Sequence, residues 1–325
     1  MLAIKHAWLV CLSATSVFLA GCNLNAIAAD QAGNIAAASS DYMRGFWDYE
    51  IGRSGTASAI MQLEAMHSVS PGNEALSLAL VSTYIGHTFG WVELDLSQAR
   101  ADRQFDKAER LRQRAELLYR RARDLALATM RKRDAAIDER LLGEPSALKE
   151  YLQREYSNKE DLAPVFWTGM AWGSVLGVTD QMDQAIDVPA VRALIEHVVA
   201  LDPGYQDGAP LVFLGGLLAQ TPAEYGGNPE QAKQYFERAL ELTERKSHTV
   251  QLSYAKLYAL TTGDNKLFFA LLDEVMAPED RGSGVRLSNK IARMHAELLL
   301  RTHPRVLRDD GEPREPRALG VGNAN

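Results

Sequence analysis

The sequence predicts an all-α protein whose helical hairpins stack as an α-solenoid. Three observations predict it. Ala, Leu, Glu, Arg and Gln fill long windows in which apolar residues recur at spacings of three and four. Strand-like alternation is nearly absent, and β-branched residues do not cluster. Breakers such as Pro71-Gly72 and Asp202-Pro203-Gly204 cut the pattern into paired segments.

The N-terminal stretch stands apart from that array. Lys5 precedes an apolar run from Ala7 to Phe18, and small residues follow it. This is the layout of a secretory signal, too short to span a bilayer comfortably. The signal closes on Leu19-Ala20-Gly21-Cys22, a lipobox. Bacterial signal peptidase II cuts before a cysteine whose sulfur carries a diacylglyceryl group, and only small side chains fit the two preceding positions. Residues 1–21 are therefore expected to leave, and Cys22 to carry the lipid. Each buried methylene contributes roughly 0.8 kcal/mol, and two or more acyl chains anchor stably where one does not. Asn23, where an Asp would favour the inner membrane, points to the periplasmic face of the outer membrane. Residues 22–39, rich in Ala and Asn with one Gly, read as a flexible tether.

The helical-repeat domain is expected over 40–302. Its helices fall at 40–52 and 56–69, closed by Pro71-Gly72, then at 74–90, 98–131 and 134–156. Further helices follow at 163–178 and 188–201, closed by Asp202-Pro203-Gly204, and at 208–219, 229–243, 248–261, 264–276 and 284–302. Several pairs repeat one apolar code in the second helix. Ala232, Phe236, Ala239, Leu240 and Leu242 carry it, as do Ala115, Tyr119, Ala122 and Leu125. Ala59, Leu63, Met66 and Val69 carry it with a closing Pro71, and Val191, Ile195, Val198 and Leu201 with Pro203. Small residues let helices approach and the bulky residue fills the gap between pairs, which is the logic of tetratricopeptide repeats. The irregular spacing makes the array degenerate. Residues 303–325, with three prolines, several glycines and few large apolar residues, read as a disordered tail.

Composition narrows the function. The chain of 325 residues carries a net charge of −7, and losing the signal removes Lys5 and no acid, giving −8. No excess positive field exists to release counterions, so no nucleic acid partner is expected. Cys11 leaves with the signal and Cys22 is consumed by the lipid, so no disulfide is expected. The histidines show no metal-ligand spacing, and no nucleophile elbow, Walker loop or dinucleotide fingerprint occurs. No cofactor, metal or catalytic residue is expected.

The candidates for ligand or partner contact are mostly aromatic. Phe89 and Trp91 close the first helix of one pair, near Tyr84; Trp167 and Trp172 lie on another first helix. First helices line the concave surface of repeat arrays. Tyr225 lies in the loop Pro222 to Pro229, where Asn228 suits an N-cap, Pro229 the first helical position, and Gln231 a reciprocal capping box. Arg110, Arg112, Arg114, Arg120, Arg121, Arg123, Arg131 and Arg133 interleave with Glu109, Glu116, Asp124 and Asp134 and read as a solvated helix face, with contact to phospholipid headgroups as the alternative.

Taken in order, the lipobox, the degenerate repeats, Phe166-Trp167-Thr168-Gly169-Met170-Ala171-Trp172, Leu201-Asp202-Pro203-Gly204-Tyr205, Gly226-Gly227-Asn228-Pro229 and Phe236-Glu237-Arg238-Ala239-Leu240 resemble the T component of TRAP transporters, the TatT family, over roughly residues 40 to 277. The resemblance implies a periplasmic lipoprotein without catalysis, a partner among periplasmic solute-binding proteins of the DctP type, and a homotrimer. Two alternatives stand beside it. One is a repeat lipoprotein that scaffolds outer-membrane or cell-wall assembly. The other is an all-helical envelope polysaccharide hydrolase, which needs two carboxylates about 5–9.5 Å apart across a groove.

Overall fold

The computed structural model describes residues 24–179, 186–277 and 283–303. The expected signal, Cys22 and the tail beyond residue 303 lie outside them. The described residues are helical throughout, with no strand among them.

The first helix corrects an expectation. Leu24–Ala38 (α1) is a helix packed on the body where a flexible tether was expected. The small residues that suggested slack instead permit close approach. Gly33 lies so near Leu76 that a Cβ there would stand 2.6 Å from the leucine Cβ. The Asp30 carboxylate accepts from Ser70 Oγ at 2.5 Å and from Asn73 Nδ2 at 2.9 Å.

The next expected pair is also rearranged. Ser40–Arg44 (α2) is short, and Tyr49–Val69 (α3) runs unbroken through the Gly52 to Gly55 stretch. Asp48 caps α3 by accepting from the Ile51 N–H at 2.8 Å. Gly52 survives inside α3 because Leu287 packs where its side chain would be.

Glu74–His87 (α4) passes through a π-helical segment, Thr88–Val92 (π1), into Glu93–Ala101 (α5), a single rod where a break after residue 90 was expected. Asn73 caps its start by accepting from Leu76 N–H at 2.8 Å. The break comes instead at Arg103, whose φ is 57°, and Phe105–Arg133 (α6) returns alongside. The expected helix at 134–156 is two, Ile137–Leu141 (α7) and Pro145–Glu155 (α8). Pro145 suits a helix start and not an interior.

Leu162–Val178 (α9) and Val188–Leu201 (α10) fall close to their expected bounds. Tyr205–Gln220 (α11) turns right-handed only after Gln206, Asp207 and Gly208, all with φ between 48° and 75°. Pro229–Leu242 (α12) follows. His248–Ser253 (α13) continues through a second π segment, Tyr254–Ala259 (π2), into Leu260–Thr262 (α14). Asn265–Met276 (α15) and Arg286–Thr302 (α16) complete the described chain.

The repeated apolar code accounts for much of the core. Ala115, Tyr119, Ala122 and Leu125 are buried, as are Val191, Ile195 and Val198. So are Ala232, Phe236, Ala239 and Leu240, while Leu242 stays 38% exposed. The code at Ala59 is weaker: Leu63 is buried and Val69 is exposed. Phe236 stacks on Tyr254 with centroids 4.7 Å apart and planes 6° apart. Glycines on the partner helices make room. A Cβ at Gly215 would stand 2.8 Å from the Phe236 ring, and one at Gly169 would stand 2.6 Å from Ile195.

The last helix packs back on the first hairpins. Leu287 and Ile291 of α16 share a cluster with Trp91, Phe46, Tyr49 and Phe89. Arg301 near the end of α16 pairs with Asp102 at 3.3 Å, and Arg44 pairs with Asp207. The N-terminal hairpins are thus covered by elements more than 160 residues away.

Candidate functional site

The rod α4–π1–α5 carries the site because a π turn widens the helix and redirects its side chains. The Glu93 N–H reaches five residues back to the Thr88 carbonyl. The Phe89 carbonyl accepts from His295 Nε2 at 3.2 Å, and the two rings stack with centroids 5.0 Å apart. Burial pushes His295 down to about 4, so it stays neutral and donates through that nitrogen.

Beside π1 lies a half-open cavity of about 310 Å³. α3 contributes Glu50, Arg53, Ser54 and Ala57; the rod contributes His87, Trp91, Val92 and Asp95; α6 contributes Arg114. Arg53 Nη2 meets Asp95 Oδ2 at 2.5 Å, fastening α3 to α5. His87 Nδ1 lies 3.0 Å from Thr56 Oγ1. Burial holds the His87 imidazole below its ordinary value, and the Arg114 and Arg53 charges act in the same direction. Trp91 is 2% exposed, and its indole Nε1–H has no hydrogen-bond partner. The neighbouring Tyr49 hydroxyl is also buried without one, and burial raises its phenol to about 12. A buried donor without a partner costs about 1–3 kcal/mol. Trp91 lines the cavity while its indole N–H is buried, and the lining carries two guanidinium groups and two carboxylates, Arg53 and Arg114 with Glu50 and Asp95.

A second cavity of about 380 Å³ between α8 and α10 is less well equipped. Its Lys149 and Glu196 pair at 2.8 Å, Arg192 joins them at 2.7 Å, and His197 Nε2 is spent on the Tyr156 carbonyl at 2.8 Å. Polar groups that satisfy one another leave little for a ligand.

The six aromatic candidates do not converge. Phe89 and Trp91 share one cluster beside the first cavity. Tyr84 is buried, and its hydroxyl donates to Glu64 Oε1 at 2.8 Å, where Arg121 also donates through Nε at 2.8 Å and to Oε2 through Nη2 at 2.7 Å. Trp167 packs against the same cluster as Tyr84, edge-on to Phe166. Trp172 is buried and donates its Nε1–H to Asp187 Oδ2 at 3.0 Å. Tyr225 stands alone, 78% exposed.

The Tyr225 loop closes over the end of α11. Asn228 caps α12 by accepting from Gln231 N–H at 3.1 Å, as expected. The reciprocal half of the capping box is not formed. The Asn228 N–H donates instead to the Leu218 carbonyl at 3.0 Å, and Gln231 Nε2 donates to the Tyr235 hydroxyl at 3.1 Å. Gly227 is required because a Cβ there would stand 1.7 Å from the Thr221 carbonyl oxygen.

Sequence reasoning noted His87 and Arg114 only within larger sets and passed over Glu50, Arg53 and Asp95. No spacing links them; only the packing of α3, α5 and α6 does. The long arginine-rich helix is largely paired, as expected for a solvated face: Arg112 with Glu109 and Glu116, Arg120 with Glu116, and Arg121 with Glu64. No cluster of His, Cys, Asp and Glu able to hold a metal ion occurs among the described residues.

Fold and cavity together define an all-helical protein with a polar-mouthed pocket set between α3, the rod α4–π1–α5 and α6. The chain belongs to the TRAP transporter T-component family, whose model matches residues 47–306. The match includes α16, whereas the resemblance read from sequence stopped near residue 277. Members of this family work with the other components of TRAP transporters. An uncharacterized protein of Treponema pallidum (strain Nichols) is 24% identical over 216 residues, covering 66% of each chain. The chain thus spans just under two thirds of that relative's length.

Proposed function

We propose that this chain is a lipid-anchored, non-catalytic binding component of a TRAP-type solute uptake system, with its hairpins arranged as a degenerate tetratricopeptide-like array. The observation that carries the reading is the family match across α3 to α16, which contains the cavity beside π1. No described helix is long and apolar enough to cross a membrane. The lipobox at Cys22 provides an attachment that needs none, and Asn23 favours the outer membrane, facing the periplasm. The partner is a solute-binding protein of the DctP type, and the assembly is a homotrimer. Trp91 is the aromatic candidate best placed for a ligand, and Tyr225 the one best placed for a partner.

Each carboxyl displaced from its ordinary range among the described residues is held below it, which favours binding over hydrolysis. Glu64, Glu116, Asp134, Asp138 and Glu196 are each held below the ordinary range, Glu64 chiefly by Arg121 and Asp138 chiefly by Arg131. A glycosidase general acid needs the opposite displacement.

The test is affinity purification of the full chain from solubilised membranes. Recovery of a solute-binding protein of the DctP type supports the reading. Recovery of envelope-assembly proteins alone contradicts it and favours the scaffold.

A further inference from the structure

Lys107, Arg110 and Arg114 stand at helical spacing on one face of α6. All three are exposed, and none lies within ion-pair distance of a carboxylate among the described residues. Arg112, Arg120, Arg121 and Arg123 of the same helix all have carboxylate partners, and the chain carries seven more acidic than basic charges. An exposed apolar side chain accompanies the row: Leu117 is 68% exposed. Arg114 also forms part of the mouth of the cavity beside π1.

The row lies at the end of the body away from the lipid. α1 places its Asp30 against Ser70 and Asn73, and its Gly33 against Leu76. α1 and α4 therefore run in the same direction. The start of α1 lies six residues before Asp30, about 9 Å past the turn at 70–73. The proposed lipid site precedes that start in the sequence. The far end of α6 lies at this same turn, because Lys132 Nζ donates to the carbonyls of Pro71 and Gly72 at 2.9 and 3.1 Å. Arg114 and Lys107 are 18 and 25 residues back along that helix, about 27 and 38 Å away. That distance exceeds several Debye lengths at physiological ionic strength, so headgroups around the anchor exert little pull on these cations.

We infer that Lys107, Arg110 and Arg114, with Leu117 on the same face, form a docking surface for the acidic face of a soluble protein. Unpaired cations in an otherwise acidic chain lose no internal ion pair on docking, and they steer an oppositely charged partner toward the cavity mouth. The neighbouring leucine supplies an apolar contact. This surface rests on the proposed function for the identity of its partner, the solute-binding protein of the same uptake system.

The test titrates that purified solute-binding protein against the lipidated full chain in detergent, at about 50 and 500 mM salt. The wild type is compared with Lys107→Glu/Arg110→Glu/Arg114→Glu and with a control, Lys266→Glu/Lys290→Glu, and thermal unfolding confirms that each variant is folded. The expected result is binding at low salt that weakens at least tenfold in the triple variant, stays within twofold in the control, and converges at high salt. Equal binding by the triple variant overturns the surface and leaves the partner in place. No binding by the wild type overturns both. Sedimentation of the unlipidated Cys22→Ala chain, with and without the triple substitution, on phosphatidylglycerol vesicles provides the last arm: loss of vesicle binding with unchanged protein binding assigns the row to lipid and overturns the inference.

Discussion

His295 lies flat against Phe89, ring centroids 5.0 Å and planes 9° apart, across 206 residues of sequence. The contact joins α16 to π1 and depends on a neutral imidazole. Its folded pKa of about 4 sits below the unfolded value of 6.5. The unfolded chain therefore binds the extra proton first as pH falls. The stability is fully present above pH 6.5 and is lost on descending through the folded value, by roughly 3 kcal/mol in total. Urea unfolding at pH 7, 5.5 and 4 is expected to show that loss, and His295→Asn is expected to flatten the slope. An unchanged slope in the variant contradicts this role.

The close approach at Gly215 predicts overpacking. A Gly215→Leu substitution drives a side chain into the Phe236 ring, which is pinned by its stack on Tyr254. Destabilisation of about 1–3 kcal/mol is expected, read as a drop in Tm. Gly177, which has open space around it, provides the comparison: Gly177→Ala is expected to be neutral or slightly stabilising.

Tyr84 holds Glu64 together with Arg121. Removing one donor in Tyr84→Phe leaves the two-pronged arginine contact intact. A cost of about 1 kcal/mol in stability is expected, with solute-binding-protein affinity unchanged. Lost affinity at full stability would restore Tyr84 to the binding surface.

The cap at Asn228 predicts a graded series. Asn228→Ala loses the bond to the Gln231 N–H and is expected to cost about 1 kcal/mol, while Asn228→Gly costs a few tenths. Denaturant midpoints measure both. Equal midpoints for wild type and the alanine variant would remove the cap from the account.

Local signals made much of the fold legible. Val188–Leu201 ends at Asp202-Pro203-Gly204, and Pro229 opens α12 behind its Asn228 cap, because breakers and caps act within a turn of where they stand. The failures are tertiary. Glycines at Gly52 and Gly33 read as a break and a tether, yet each is a contact point for a distant leucine, Leu287 and Leu76. The rod from Glu74 to Ala101 continues where a break was expected because π1 absorbs its irregularity and is braced by His295. The cavity was illegible for the same reason. Arg53, Asp95 and Arg114 come from three helices, and no sequence period relates them.

The most direct measurement is solute uptake by cells lacking this chain, complemented with the wild type or with Cys22→Ala. Uptake through the TRAP membrane subunits of the same cells is expected to fall on deletion, to return with the wild type, and to stay low when the chain cannot be lipidated. Full uptake in the deletion strain would contradict the assignment of this protein to transport.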